Sequence, residues 1–201
     1  MNKSQEEHAF SIFSRNKKLQ IDGKLESISG YGSSVLETVN TINIIQNVIN
    51  DFSIKSIADC PCGDWNWFKQ VSLNDTVYTG YDIIDELIKE NNKEYSSKNI
   101  SFFVKDALKI ILPSSDLILC RDFAFHLNDN QIFTLLDNFK LSKSKYLLIT
   151  SFNDEIKNSA TLNKDGWYFR KINLLESPFN LKFIKHYKEH FNGKYLNLYE
   201  Y

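Results

Sequence analysis

Short apolar runs at Ser56–Asp59, Val77–Tyr81, Ile100–Val104, Asp116–Cys120 and Tyr146–Thr150 recur through the middle of this chain, with helix-length stretches between them. The runs are rich in Ile, Leu, Val and Phe at adjacent positions, so both faces of each strand need cover. The intervening stretches, chiefly Ile84–Tyr95 and Asp129–Phe139, supply it. This alternation predicts an α/β fold, with a mostly parallel sheet flanked by helices on both faces. Upstream, Ser34 and Glu37 stand at capping-box spacing and open a predicted helix with the apolar stripe Leu36, Val39, Ile42, Ile45, Ile49 and Phe52. A further helix is expected around Glu6–Ser14. After Thr150 the rhythm changes, and Leu181–Tyr187 and Tyr195–Tyr201 read as two closing strands turned at Asn192-Gly193.

The 201 residues fit one domain with a real hydrophobic core. No repeat or low-complexity linker divides them. Lysine and arginine number 24 against 25 acidic residues, a net charge of −1, with the cations scattered. That balance leaves no electrostatic footprint for nucleic acid and no membrane-binding patch. The first residues are polar, unlike a secretory signal, and no apolar run nears the ~20 residues that cross a bilayer. Three cysteines, Cys60, Cys62 and Cys120, cannot all pair and read as reduced thiols of a cytoplasmic protein.

In a sheet of this kind ligands bind beyond the carboxyl ends of the strands, where strand order reverses. Polar groups end four successive strands: Asp59, followed by Gly63 in the turn; Asp82, 23 positions on; Asp106; and Cys120-Arg121-Asp122, with His126 four residues later. A carboxylate at Asp82 suits the paired hydroxyls of a ribose. Cys60-Pro61-Cys62 lacks the C-x₂-C spacing of a zinc site and has no second ligand pair nearby, so no metal is expected. His186 and His190 read as solvated, and Trp65 and Trp67 as packing groups.

Separated motifs then carry a resemblance. Asp59-Cys-Pro-Cys-Gly63-Asp-Trp65 follows the register of D-x-G-x-G-x-G, with proline and tryptophan at the first and third glycines. Ser29-Gly-Tyr-Gly-Ser33 precedes the predicted helix, and Cys120-Arg-Asp-Phe-Ala-Phe-His126-Leu127 follows the fourth run. The chain resembles the class I S-adenosylmethionine-dependent methyltransferases. It looks most like a small-molecule subgroup reading D-x-P-C-G-D-x-N-W and C-R-D-x-x-x-H-L, which includes enzymes acting on bacterial surface sugars and their phosphoramidate groups. The resemblance implies a Rossmann-like sheet of seven strands with one antiparallel C-terminal strand. Residues 1–33 would form a cap segment and 34–201 the core. It implies S-adenosylmethionine bound by Asp59, Pro61, Gly63, Asp64, Asp82, Ile83, Asp106, Ala107 and Cys120.

O-methylation of a small acceptor, a sugar or a phosphorylated precursor in capsular polysaccharide synthesis, is the expected reaction. An activated methyl chiefly needs the acceptor held in line. A neutral hydroxyl also needs a base, a role that suits His126 with Asp122 orienting it; packing is the alternative for His126. Tyr31, Arg121, Trp167 and Arg170 are the expected acceptor contacts. Arginines facing the acceptor would suit an anionic group, although Arg121 could instead neutralise Asp122. The signature of amino-directed nucleic-acid methyltransferases is absent after the fourth run. Two alternatives remain: a nicotinamide-dependent oxidoreductase, whose G-x-G-x-x-G the turn lacks, and a non-catalytic subunit of the same fold.

Overall fold

Apolar residues fill the strand Leu117–Cys120 (β4) and all of Tyr146–Phe152 (β5) but Thr150 and Ser151; both strands are buried throughout and lie inside the sheet. A computed structural model of the chain describes residues 5–154, 158, 170–190 and 193–201. The remaining strands are Ser56–Asp59 (β1), Val77–Asp82 (β2), Ile100–Val104 (β3), Lys185–Lys188 (β6) and Lys194–Glu200 (β7). The sheet order is β3-β2-β1-β4-β5-β7-β6. β2 and β3 run parallel, as do β1 with β4 and β4 with β5. β7 is antiparallel to β5 and to β6, which makes it the reversed strand of the C-terminal pair. Strand order reverses between β1 and β4, whose ends carry Asp59 and Cys120.

By internal contacts the chain forms two compact units, Met1–Lys55 with Pro61–Asp106, and Ser56–Cys60 with Ala107–Tyr201. In the first unit, helix α1 (Gln5–Ile21) runs a turn and more past the expected Ser14. Helix α2 (Val35–Asp51) starts at Ser34, whose hydroxyl accepts from the Glu37 amide at 3.4 Å. The expected capping box is half formed, because the Ser34 amide donates to the Tyr31 carbonyl at 3.1 Å; Glu26 Oε1 accepts from the next amide, that of Val35. The apolar stripe is also rotated from the expected one. Leu36 is 80% exposed, whereas Thr38, Thr41, Ile44, Ile45, Val48 and Ile49 are buried. Thr38 can turn inward because its hydroxyl donates to the Ser34 carbonyl at 2.7 Å, so no polar group is left unsatisfied. Helix α3 (Asp85–Tyr95) buries Leu87, Ile88 and Asn91 beside β2 and β3.

In the second unit, helix α4 (Asp129–Leu141) carries the full capping box that the sequence reading did not mark. Asn128 Oδ1 accepts from the Gln131 amide, and Gln131 Oε1 accepts from the Asn128 amide. The edge strand β6 is shorter than the expected Leu181–Tyr187 and presents lysines at both ends, which discourages further strand pairing. Of the expected Asn192-Gly193 turn, Asn192 lies outside the described residues. Gly193 adopts φ +81°.

Candidate functional site

In the first unit two carboxylates, Asp82 and Asp64, organise the turn after Pro61. Asp82 ends β2 with only 8% exposure, and its oxygens accept from the Gly63 amide at 3.2 Å and the Ile84 amide at 3.1 Å. Burial pushes this carboxyl above the ordinary aspartate range, and amide bonds from Ile84, Gly63 and Ile83 oppose the rise. A buried carboxylate thus fixes both the glycine turn and the start of α3, with Ile83 half-buried between them. Asn91 completes the clamp, its amide donating to the Gly63 carbonyl at 2.8 Å.

Asp64 is engaged by the segment that precedes α2. It gathers the Ser27 hydroxyl at 2.8 Å, the Ile28 amide at 2.7 Å and the Ser29 hydroxyl at 3.0 Å. Its own amide donates back to Ser29 Oγ at 2.9 Å. Beside it, Asn66 donates to Glu26 Oε1 at 2.7 Å and to the Ser33 carbonyl at 3.2 Å. The Ser29–Ser33 loop is therefore fastened onto the turn after Pro61. This fastening also explains Gly63, which adopts φ +59°: a Cβ there would lie 2.3 Å from Ser29 Oγ. The glycine makes room for the serine loop, a tighter constraint than the ligand approach expected from sequence. Tyr31, in the short 3₁₀ turn Tyr31–Ser33, is left exposed.

The third glycine position of the motif holds Trp65, which still adopts the left-handed backbone, φ +56°. Its ring offsets that conformation by packing among Phe68, Tyr78, Tyr95 and Phe102. Cys62 is buried against Gly80, where an added Cβ would come within 3.0 Å of its sulfur. Asp106 is half-buried just past β3.

In the second unit, Asp59 and Cys120 are buried at the ends of the adjacent strands β1 and β4. Burial, with the charges of Asp59 and Asp122 behind it, pushes the Cys120 thiol well up, so it stays protonated. Ala107 is buried, and its carbonyl accepts from Asn138 of α4 at 2.9 Å.

Beyond Cys120 stands a ring of four charges. Arg121 Nε donates to Glu189 Oε1 at 2.7 Å, and its Nη1 lies 3.1 Å from Asp122 Oδ2. Lys194 Nζ closes the ring, 2.7 Å from the Asp122 carboxylate and 3.4 Å from Glu189 Oε2. Burial penalises both charged forms, but the partners outweigh it: Arg121 is held above and Asp122 below its ordinary range. Asp122 adopts φ +55°, and its amide donates to Thr150 Oγ1 at 2.9 Å. A charged His126 adds, as the smallest contribution, to the lowering of the Asp122 carboxyl. His126 itself is half-buried on the 3₁₀ turn Ala124–His126, its ring 4.4 Å from that of Phe125.

Neither arginine stands open to an acceptor as the sequence reading expects. The side chains of Arg121 and Arg170 are each only 4% exposed. Arg121 belongs to the ring, while Arg170 donates to the Leu127 carbonyl at 3.1 Å and pairs with Asp129. Trp167, the fourth expected contact, lies outside the described residues. Sequence reasoning missed Ser27 and Glu26, which local pattern could have suggested. It also missed Glu189 and Lys194, which no local pattern marks as partners of Arg121. Among the described residues, no group of three or more His, Cys, Asp or Glu side chains is arranged to hold a metal.

No family model and no curated protein matches the chain. Solved structures do. The 1,6-didemethyltoxoflavin-N1-methyltransferase of Burkholderia thailandensis, bound to 1,6-didemethyltoxoflavin and S-adenosylhomocysteine, superposes with TM-score 0.70 at 11% identity, covering 98% of this chain and 90% of that one. The N-methyltransferase NodS of Bradyrhizobium japonicum WM9, in complex with S-adenosyl-L-homocysteine, gives 0.63 at 14% identity, covering 84% and 88%. Magnesium protoporphyrin IX methyltransferase of Synechocystis PCC 6803, with S-adenosylhomocysteine, gives 0.60 at 10% identity, covering 81% and 82%. The fold of this chain is the Rossmann-like fold of these methyltransferases.

Proposed function

We propose that the chain is an S-adenosylmethionine-dependent methyltransferase acting on the hydroxyl of a small molecule. The observation that carries this reading is Asp82, a buried carboxylate at the end of β2 that also holds the Gly63 amide. A carboxylate has about four acceptor positions, and the Ile84, Gly63 and Ile83 amides take three, which leaves one for a ribose hydroxyl. Asp59, Pro61, Gly63 and Asp64 would bound the methionine end of the cofactor. Ile83, Asp106, Ala107 and Cys120 would bound the adenosine, with Asp106 receiving the adenine amino group. No metal is required.

Bound there, S-adenosylmethionine supplies an activated methyl on a sulfonium, which leaves the protein to hold the acceptor in line and manage one proton. His126 would take the proton from the acceptor hydroxyl, and Asp122 would stabilise the imidazolium that results. The engagement of Arg121 and Arg170 within the protein favours a neutral acceptor over an anionic one. The motif Cys120-Arg-Asp-x-x-x-His126-Leu127 supports a hydroxylated sugar precursor of a bacterial surface polysaccharide as the substrate class. Tyr31 and Trp167 are assigned to its contacts. Residues 1–33 would act as a cap on a single catalytic domain. The even charge balance argues against nucleic acid, and no described helix is long and apolar enough to cross a membrane. A cytoplasmic location fits the three free thiols.

Calorimetric titration with S-adenosylmethionine, S-adenosylhomocysteine and NAD tests the cofactor. The first two should bind and NAD should not. Asp82→Ala, which removes a charge-assisted bond to the ribose, should weaken binding at least ~10-fold. Binding of NAD alone would assign the fold to nicotinamide chemistry, and no binding at all to a non-catalytic role.

A further inference from the structure

The turn carrying His126 is gripped on both sides by one residue. His126 donates its amide to the Phe123 carbonyl at 2.9 Å and Leu127 donates to Ala124 at 3.0 Å, which closes the 3₁₀ turn. The carbonyls flanking His126 point elsewhere, and both meet Arg170. Its backbone amide donates to the Phe125 carbonyl at 3.3 Å, and its guanidinium donates to the Leu127 carbonyl at 3.1 Å. The same guanidinium nitrogen pairs with Asp129, the first residue of α4. The Phe125 ring between these bonds packs edge-on against Phe152 of β5, 5.8 Å away, and against the His126 ring.

We propose that Arg170 is a positioning residue for the catalytic imidazole, fixing the turn from Phe125 to Leu127 so that His126 meets the acceptor hydroxyl in one orientation. This rests on the reading of His126 as general base. A guanidinium suits the task because the two hydrogens of its Nη2 fork at a fixed angle in the plane, one to the carbonyl and one to the carboxylate, whereas an ammonium rotates and holds no fixed fork. A small tilt of the turn matters because proton transfer needs heavy atoms within hydrogen-bond reach, and misplacement of about 1 Å can cost ~10²-fold. The assignment accounts for a buried arginine beside the active edge without giving it an acceptor to bind.

Arg170→Lys in the full-length protein is the test, because it keeps the charge and removes the fork. Expected are a fall in kcat of at least tenfold, S-adenosylmethionine affinity unchanged within twofold, and altered NMR resonances of the His126 ring in the protein without acceptor. Arg170→Gln should show the same loss. Because it also removes a cation near His126, it should move the acid limb of the pH–rate profile to higher pH. The charged group that interacts with that imidazole is then Asp122, itself paired with Arg121 and Lys194, which both meet Glu189, while Asp129 is the group that Arg170 pairs with. A folded Arg170→Lys with wild-type kcat and unmoved His126 resonances overturns the proposal. A raised acceptor KM with those resonances unmoved also overturns it and returns Arg170 to the acceptor. If Arg170→Lys does not fold, Asp129→Ala, which frees the anchor, must give the same kcat loss and resonance change or the proposal fails. His126→Ala within threefold of wild-type kcat would reject the base while leaving the NMR comparison to judge the positioning.

Discussion

Replacing Glu189 by glutamine tests whether the four-charge ring is a structural keystone. The Glu189 side chain is 0% exposed and lies 2.7 Å from Arg121 Nε, whose own side chain is nearly as buried. Removing one partner from a buried pair leaves an uncompensated charge and costs about 3–5 kcal/mol, whereas an exposed pair is worth about 0.2–1. Asp122 keeps its contacts with Arg121 at 3.1 Å and Lys194 at 2.7 Å, so the loss belongs at the lower end, about 3 kcal/mol. For a chain of 201 residues this lowers Tm by roughly 6–12 °C. Urea unfolding followed by tryptophan fluorescence measures the free energy directly. The double variant Arg121→Met/Glu189→Leu removes both buried charges and leaves Asp122 paired with Lys194, so it should recover most of the loss. A Glu189→Gln cost below about 1 kcal/mol would show that water reaches the ring. A double variant less stable than the single one would show that the charges contribute more than their burial costs.

Asp82 is raised in the folded protein, and an ionised carboxylate is the form that accepts ribose hydroxyls. Affinity for S-adenosylmethionine should therefore fall with decreasing pH while other aspartates are still ionised; calorimetry showing flat affinity down to the ordinary aspartate range would contradict this. Asp122 has the opposite sign: its lowered carboxyl contributes stability above the unfolded value near 3.8, and that contribution is lost as pH falls through the folded value. Asp122→Asn should flatten that part of the acid limb in a stability–pH series. Gly63→Ala places a methyl 2.3 Å from Ser29 Oγ at φ +59° and should destabilise by about 1–2 kcal/mol from the backbone alone, with more from the clash. Adding Ser29→Gly should relieve the clash but not the backbone part in thermal melts.

The elements were legible because their signals are local. Strands β1 and β3 fall where the apolar runs place them, and α3 and α4 start within a residue of expectation. What failed was the facing of α2, since the apolar stripe counts Leu36 and Val39 but not threonines whose hydroxyls return to the helix backbone. The carboxylates at strand ends were legible too, because the topology makes that edge special. Their partners were not. Glu189 lies 68 positions from Arg121, and Lys194 lies 72 from Asp122. Only the pairing of β7 with β5 brings them near. For the arginines the sequence offered Asp122 as a partner of Arg121, which the structure bears out, but marked neither Glu189 as its second partner nor Asp129 as the partner of Arg170.

Asp64 and Asp82 show how environment divides two carboxylates nineteen and fewer residues from the same turn. Asp82 is buried and holds only backbone, so its task is to stay fixed. Asp64 is half-exposed and holds donors of another segment: two hydroxyls and one amide from Ser27–Ser29. The Asp64 amide on Ser29 Oγ and the Asn66 bonds to Glu26 and the Ser33 carbonyl make six, which at about 1 kcal/mol net each hold the segment by about 6 kcal/mol. The Lys17 pairs with Glu86 and Glu90 add little, because those carboxylates are largely exposed. The hold on Glu26–Ser33 is thus spread over many weak bonds from Asp64 and Asn66, so the loss of any one of them should leave the segment in place.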